Sequence, residues 1–156
     1  MNRHQITGAA ALAIAICAPI TAASEGTILH AYWDPAHVAT ECTGETKGVQ
    51  WGVQFTPEQC RAKLIWRLQH DFAPPIQGCV PGLTTHTQPF VASLDAAYNA
   101  GPGAFCRSPM AKAFNAGRWQ QGCEQFIEWR VTAKGRTLPG LVARRLKEAR
   151  ICLKGS

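Results

Sequence analysis

The 156-residue chain predicts an α+β fold, with a small N-terminal β element followed by a mainly α-helical lobe. Residues 27–53 are rich in Thr, Gly and Val and lack helical periodicity, which favours an irregular β-hairpin or a three-stranded sheet. Downstream of residue 55 the pattern changes to five candidate helices. The length suits one domain with a single core, and we find no internal repeat or interdomain linker.

The N-terminal 24 residues contain Arg3 and then no charged residue from Ile6 to Ala23. This run approaches the length of a membrane span, but it is mostly Ala and only weakly hydrophobic. Residues 1–24 are therefore either a signal peptide cleaved before Ser24, or a signal anchor that is kept, leaves the membrane and packs beneath Glu25. Cleavage would put Glu25 at a frayed terminus, so a functional Glu25 favours retention.

The first candidate helix has a clear start. Thr56 is a suitable N-cap, Pro57 fits the first turn, and Gln59 completes a capping box. Apolar residues recur every four positions and predict one buried stripe: Cys60, Leu64, Leu68 and Phe72. The helix is expected to end at Pro74-Pro75.

Four more helices are predicted after a linking loop at residues 79–87. They cover residues 88–100, 108–117 (capped by Ser108 and closed by Gly117), 118–129 and, after a loop at 132–140, the C-terminal segment. The apolar positions expected to face inward are Phe90, Val91, Leu94 and Tyr98 in the second helix, and Leu141, Val142, Leu146, Ala149 and Leu153 in the last.

Charge and cysteine content narrow the possible environments. Lys plus Arg exceed Asp plus Glu by six, which favours acidic partners such as bacterial envelope, but no RNA-binding signature supports a nucleic-acid partner. Arg144 and Arg145 are expected to form a solvated helix face. Six of the seven cysteines follow residue 40 without zinc-type spacing, so they favour disulfides and an oxidising compartment; reduced cytosolic thiols are the alternative. The histidines show no ligand spacing, so no metal or cofactor is predicted.

Two carboxylates, Glu25 and Asp34, lie nine residues apart. Cleavage of a glycosidic bond needs one carboxyl group that holds its proton and a second that is ionised. Glu25 follows an apolar helix, where poor solvation favours the protonated form, whereas Asp34 lies in a turn segment that keeps it charged. Thr40 offers a hydroxyl that can orient water for Asp34. Taken alone, the spacing more often means a surface Glu and a turn Asp.

The motif "EG…YWD…T…CTGET" resembles the active-site segment of the phage-type lysozymes, glycoside hydrolase family 24. "FTPEQC", "YNAGPGAF", "SPMAKAFNAGRWQQGC" and "LPGLVARRLKEARICL" follow in the order of that family, so the resemblance runs from Glu25 to the C-terminus. The weakly hydrophobic N-terminus is similar to that of signal-arrest-release endolysins, which reach the periplasm tethered and inactive and act after leaving the membrane.

The resemblance implies a lysozyme-like catalytic domain over residues 25–156, with Glu25 as general acid, Asp34 as catalytic aspartate and Thr40 as the residue that positions water. It also places Asn99 as a polar cleft residue, and aromatic faces commonly line ligand sites, which makes Trp33 a candidate glycan contact. The implied activity is hydrolysis, with inversion, of the β-1,4 bond between N-acetylmuramic acid and N-acetylglucosamine in peptidoglycan, causing lysis of a bacterial host.

The expected partners and location follow from the same resemblance. The protein is expected to be a monomer that is exported, held transiently at the inner membrane and then periplasmic, or secreted if residues 1–23 are cleaved. Three positions depart from the family pattern: His37 replaces a turn Gly, Ala39 a bulky residue, and Glu45 a His. They leave open an alternative, a catalytically impaired secreted domain that binds peptidoglycan.

The order of the cysteines suggests local pairing, as Cys42–Cys60, Cys79–Cys106 and Cys123–Cys152. Cys17 is then unpaired. It is either a small apolar residue of the N-terminal segment or part of a redox switch that acts after release.

Overall fold

The computed structural model describes residues 7–155, so Arg3 and the start of the predicted N-terminal segment lie outside the described residues. A two-stranded sheet lies beside a helical body, which confirms the α+β prediction. The elements are α1 (Gly8–Glu25), β1 (Ile28–Trp33), β2 (Ala39–Cys42), α2 (Pro57–Arg67), a π-helical turn (Leu68–Phe72), α3 (Ala73–Cys79), a 3-10 helix (Pro81–Thr85), α4 (Thr87–Ala100), α5 (Pro102–Cys106), α6 (Pro109–Asn115), α7 (Trp119–Glu124), β3 (Thr132–Ala133), β4 (Arg136–Thr137) and α8 (Pro139–Leu153).

Helix α1 packs into the body of the protein. Thr7 caps its start by accepting a hydrogen bond from the Ala10 amide, and Gly26, with φ of 75°, ends it directly after Glu25. The face that packs against the rest of the core is formed by Ala10, Ala13, Ile14, Cys17, Ala18 and Thr21. The helix is long and apolar enough to cross a membrane, a test that core helices and signal sequences also pass. In this packed form it holds Glu25 at its C-terminal end.

The β element is a short antiparallel hairpin. Strands β1 and β2 pair Tyr32 with Thr40 and Trp33 with Ala39, and an irregularity interrupts the ladder towards Ile28. The third strand that the sequence allowed is reduced to an isolated bridge between His30 and Gln54. The hairpin prediction is therefore confirmed, and its turn carries Asp34.

The helical body keeps the predicted start of α2 but not its predicted end. Thr56 and Gln59 form the capping box, with hydrogen bonds of 2.8 and 3.2 Å. The expected stop at Pro74-Pro75 is wrong, because the chain stays helical through a π-helical turn and both prolines lie in the first turn of α3. Proline suits the first turn of a helix because its fixed φ is already close to the helical value.

Helix α4 lies at the centre of the core, with Phe90, Val91 and Leu94 fully buried as predicted. Two predicted loops contain regular structure, since residues 81–85 form a 3-10 helix and residues 132–137 form a two-residue β ladder. In α8 the helix is confirmed, and the predicted inward face is partly right: Ala149 is buried and Leu141, Val142 and Leu146 are partly buried, but Leu153 is exposed. The buried face also carries side chains that were not predicted there: Arg144, Arg145, Glu148 and Cys152.

All three predicted disulfides are confirmed. They join β2 to α2, α3 to α5 and α7 to α8. Cys17 has no disulfide partner, and burial raises the pKa of its thiol to about 12. The thiolate is the reactive form of cysteine, so in this packed state Cys17 is a poor participant in disulfide exchange.

We expect the Cys123–Cys152 bond to contribute about 3 kcal/mol to the free energy of unfolding, because it closes a long loop in the unfolded chain. Replacing both residues with Ala should lower the urea midpoint accordingly under non-reducing conditions. Under reducing conditions, which break all three disulfides of wild type, the difference between the two midpoints should disappear. An Ala/Ala variant that unfolds at the wild-type midpoint would contradict the assignment.

Candidate active site

Glu25, the predicted general acid, is held by an arginine. Its Oε1 accepts a hydrogen bond of 2.5 Å from Nη1 of Arg144, and its side chain is one-quarter exposed. The sequence led us to expect apolar surroundings, but the structure supplies an ion pair from α8. Because Glu25 is the last residue of α1, its position depends on how α1 docks against α8 and α4.

The other edge of the Arg144 guanidinium binds Asp95 of α4. Nε and Nη2 each donate to the Asp95 carboxylate at 3.0 Å, and Nη2 also reaches the backbone oxygen of Asp95. Thr21 of α1 donates to the same carboxylate at 2.7 Å. Burial alone would raise the pKa of Asp95, but the hydrogen bonds and charge of Arg144 outweigh it and hold that pKa below its ordinary value. Helices α1, α4 and α8 therefore meet at one arginine.

Arg145 is buried next to it. Its Nη1 donates to both carboxylate oxygens of Glu148 at 2.6 and 2.7 Å, its Nε donates to the Trp129 carbonyl, and its Nη2 donates to Asn99 Oδ1 at 2.5 Å. The expectation of a solvated Arg144-Arg145 face is wrong: Arg145 is 0% exposed. Both arginines can be buried because neighbouring acceptors satisfy them. Asn99 was expected to be a cleft residue, but its side-chain oxygen accepts this hydrogen bond from Arg145.

We call Arg144, Arg145, Asp95 and Glu148 the buried ion cluster. It contains two carboxyl groups and two guanidinium groups. Burial raises the pKa of Glu148 to about 8, and Asp95 adds to this effect while the charge of Arg145 opposes it. The Glu148 carboxyl therefore binds its proton more tightly in the folded protein than in the unfolded chain.

This shift predicts a pH dependence of stability. A carboxyl group that binds its proton more tightly in the folded state stabilises the fold fully below its unfolded pKa and loses that contribution as pH rises towards about 8. We expect the free energy of unfolding to fall by on the order of 1 kcal/mol per pH unit between pH 5 and 8. Glu148→Gln should flatten this slope in urea titrations, and equal slopes for the two proteins would contradict the assignment.

The hairpin holds the second predicted group. The Asp34 amide donates to the Val38 carbonyl at 3.0 Å, and Asp34 Oδ1 accepts from the Val38 amide at 2.8 Å. Thr40 is buried in β2, and its hydroxyl donates to the same Val38 carbonyl at 2.9 Å. Asp34 and Thr40 are thus linked through Val38. The structure brings Trp33, Asp34 and Thr40 together in the hairpin, whereas Glu25 and Asn99 contact the adjacent arginines Arg144 and Arg145.

Of the three departures from the family pattern, His37 keeps the turn geometry that a Gly would provide. Its φ is 60°, its amide donates to the Asp34 carbonyl at 2.8 Å, and its ring stacks on Trp33. Ala39 starts β2 opposite Trp33. Glu45 is buried against Arg67 at 2.8 Å; burial raises its pKa while Arg67 opposes the change.

The residues that sequence reasoning missed are Thr21, Asp95 and the structural role of Arg144. The sequence does carry a signal for this ion pair. Asp95 is a charged residue within a predicted buried helix, and Arg144 and Arg145 lie in a family motif of the C-terminal segment. A charged residue in a core helix needs a partner. Of the buried side-chain polar atoms in residues 7–155, Gln125 Oε1 alone lacks a hydrogen-bond partner, so the buried ion cluster is fully satisfied.

Comparisons with known proteins agree with this geometry. The chain is 36% identical over 151 residues to the SAR-endolysin of Pseudomonas phage phiKMV, covering 94% of this chain and 91% of that protein. It is similar to the active form of P1 phage endolysin Lyz, with 26% identity, a TM-score of 0.68, and coverage of 96% and 85%. The muramidase domain of SpmX from Asticaccaulis excentricus shares the fold, at 23% identity, a TM-score of 0.73, and coverage of 97% and 99%.

A family model described as phage lysozyme matches residues 22–148, which include Glu25, Asp34, Thr40 and the buried ion cluster. The match confirms the resemblance inferred from the sequence motifs. The chain therefore belongs to the phage lysozyme family of glycoside hydrolases.

Proposed function

We propose that this muramidase-type peptidoglycan hydrolase cleaves the β-1,4 bond between N-acetylmuramic acid and N-acetylglucosamine with inversion, and that it lyses a bacterial host as a signal-arrest-release endolysin. The observation that carries the proposal is the support of Glu25. A carboxyl group at the end of α1 is oriented by Arg144, which is itself fixed by Asp95. An arrangement that orients one carboxyl group so firmly is typical of a catalytic acid.

Each residue then has a defined task. Arg144 contacts Oε1 of Glu25, which leaves Oε2 to carry the proton that is donated to the leaving glycosidic oxygen. Asp34, kept in the turn by Val38, acts as the base that accepts a proton from the attacking water. The Thr40 hydroxyl already donates to Val38, so its lone pairs are free to accept a hydrogen bond from that water. Attack from the face opposite the leaving group inverts the anomeric centre.

Helix α1 supports the release part of the proposal. Its composition suits transient residence in the inner membrane before the protein becomes periplasmic. When the helix packs onto the body, Thr21 reaches Asp95 and Glu25 reaches Arg144. A tethered chain with α1 in the lipid would lack both contacts, so the acid would be misplaced until release. The alternative of a binding domain without activity is less well supported, since His37 adopts the left-handed conformation that the turn requires.

The proposal is tested with the full chain on purified peptidoglycan. Wild type should release new reducing ends that borohydride converts to muramitol, and proton NMR should show the α-anomer of N-acetylmuramic acid as the first product. Glucosaminitol would indicate cleavage of the other glycosidic bond, and an early β-anomer would indicate retention. Binding to peptidoglycan without new reducing ends would support the impaired binding domain.

A further inference from the structure

Three aromatic rings cluster on the surface of the β element. Trp33 at the end of β1 stacks on His37, with ring centroids 4.7 Å apart and planes at 11°. Trp51, from the loop before α2, lies against Trp33 at 5.1 Å and 40°. Trp33 is 55% exposed and Trp51 is 51% exposed. An exposed cluster of indole rings is typical of a ligand-binding surface.

The backbone at His37 strengthens this interpretation. A residue other than Gly at φ of 60° carries a conformational cost, because its Cβ crowds the following carbonyl oxygen. Gly would form the same turn without that cost, but it would remove the ring that stacks on Trp33. Strained backbone of this kind concentrates at active sites and ligand clamps. The turn thus retains a strained residue whose side chain completes the aromatic cluster.

We infer that Trp33, His37 and Trp51 form a carbohydrate subsite that binds a hexose ring of the peptidoglycan strand beside Asp34; this rests on the proposed function. A pyranose ring has a face of C–H groups that is weakly positive and apolar. Such a face stacks on the electron-rich face of an indole and is removed from water.

A glycan is favoured over other occupants because of where the cluster lies. Trp33 directly precedes Asp34, and His37 is hydrogen-bonded to the Asp34 carbonyl at 2.8 Å. A sugar ring stacked here belongs to the same strand whose neighbouring bond is attacked at Asp34. Binding of such a remote ring can be used to position the reacting bond.

The chain offers a matched control. Trp66 is 54% exposed and stacks on His70, with ring centroids 4.4 Å apart and planes at 16°. Its exposure and its stacking on a histidine therefore match those of Trp33. It lies on α2 and not on the hairpin that carries Asp34. Loss of an exposed Trp–His stack in general can therefore be separated from loss of the subsite.

The experiment measures binding of soluble glycan strands of alternating N-acetylglucosamine and N-acetylmuramic acid, freed of peptide stems, by calorimetry. All proteins carry Glu25→Gln so that the ligand persists. Adding Trp51→Ala should weaken binding about tenfold, and His37→Gly, which keeps the turn, should weaken it as well. Adding Trp66→Ala should leave the dissociation constant unchanged. Thermal unfolding midpoints verify that each variant folds.

Other outcomes overturn the subsite. Unchanged binding in Trp51→Ala, or an equal loss in Trp66→Ala, would reject it, as would Trp51-dependent binding to phosphatidylglycerol vesicles without an effect on glycan. Failure of the proposed function is distinguishable: wild type would then release no reducing ends, while glycan binding that depends on Trp51 would still support the subsite. Hydrolysis by wild type together with glycan binding independent of Trp51 would reject the subsite alone.

Discussion

Replacing Glu25 with Gln is expected to lower kcat on peptidoglycan by about 10²–10⁴-fold, the range that general acid catalysis contributes. Gln keeps the size of the side chain and can still accept a hydrogen bond from Arg144, so the fold should persist, but it has no proton to donate to the leaving oxygen. Release of reducing ends under saturating substrate measures the effect, and the thermal unfolding midpoint should change little.

The control for this variant is Glu124→Gln, which makes the same chemical change at an exposed position of α7. It should leave kcat within about twofold of wild type, because surface substitutions away from a site have small effects. If Glu25→Gln retained full kcat, the general acid would have to be another residue. The proposed role of Arg144 in positioning a catalytic Glu25 would then be rejected.

Replacing Arg144 with Met is expected to have the largest effect on stability, about 3–5 kcal/mol, and also to lower activity strongly. The change removes the guanidinium contacts to Asp95 and leaves that carboxylate buried without its cationic partner, although Thr21 still donates to it. Glu25 loses its partner at the same time. Urea unfolding and the release of reducing ends measure the two losses separately.

A second substitution separates structure from catalysis. In Arg144→Met with Asp95→Asn, no unpaired buried charge remains at these two positions, so part of the lost stability should return. Activity should stay low because Glu25 is still without Arg144. Recovery of both properties together would mean that Arg144 acts on stability alone, and the positioning role would be rejected.

The parts of the fold that sequence reasoning predicted correctly are governed by local interactions. The capping box at Thr56 and Gln59 involves residues three apart, and the caps at Ser108 and Gly101 follow from neighbouring side chains and backbone. The disulfide order follows from chain proximity. Pro74-Pro75 was misjudged because proline can end one helix or begin the next, and only the path of the following segment distinguishes the two cases.

The candidate site divides in the same way. Glu25, Asp34 and Thr40 lie within one short segment, so the resemblance to a linear family motif could propose them as candidates. The support of Glu25 comes from Arg144, 119 positions away, and from Asp95. Periodicity assigns charged residues to solvent, and it therefore predicted a solvated face for Arg144 and Arg145.

By itself, the sequence of this protein determined the α+β class, the positions of the main helices, the disulfide pairs and the family. Each of these depends on local propensity or on a motif that survives as a linear pattern. The tertiary structure alone decided that α1 lies in the core, that two arginines are buried beside Glu25, and that Trp51 joins Trp33 and His37. Burial of a charge is favourable only when partners from distant segments converge on it, and that convergence is a property of the folded chain.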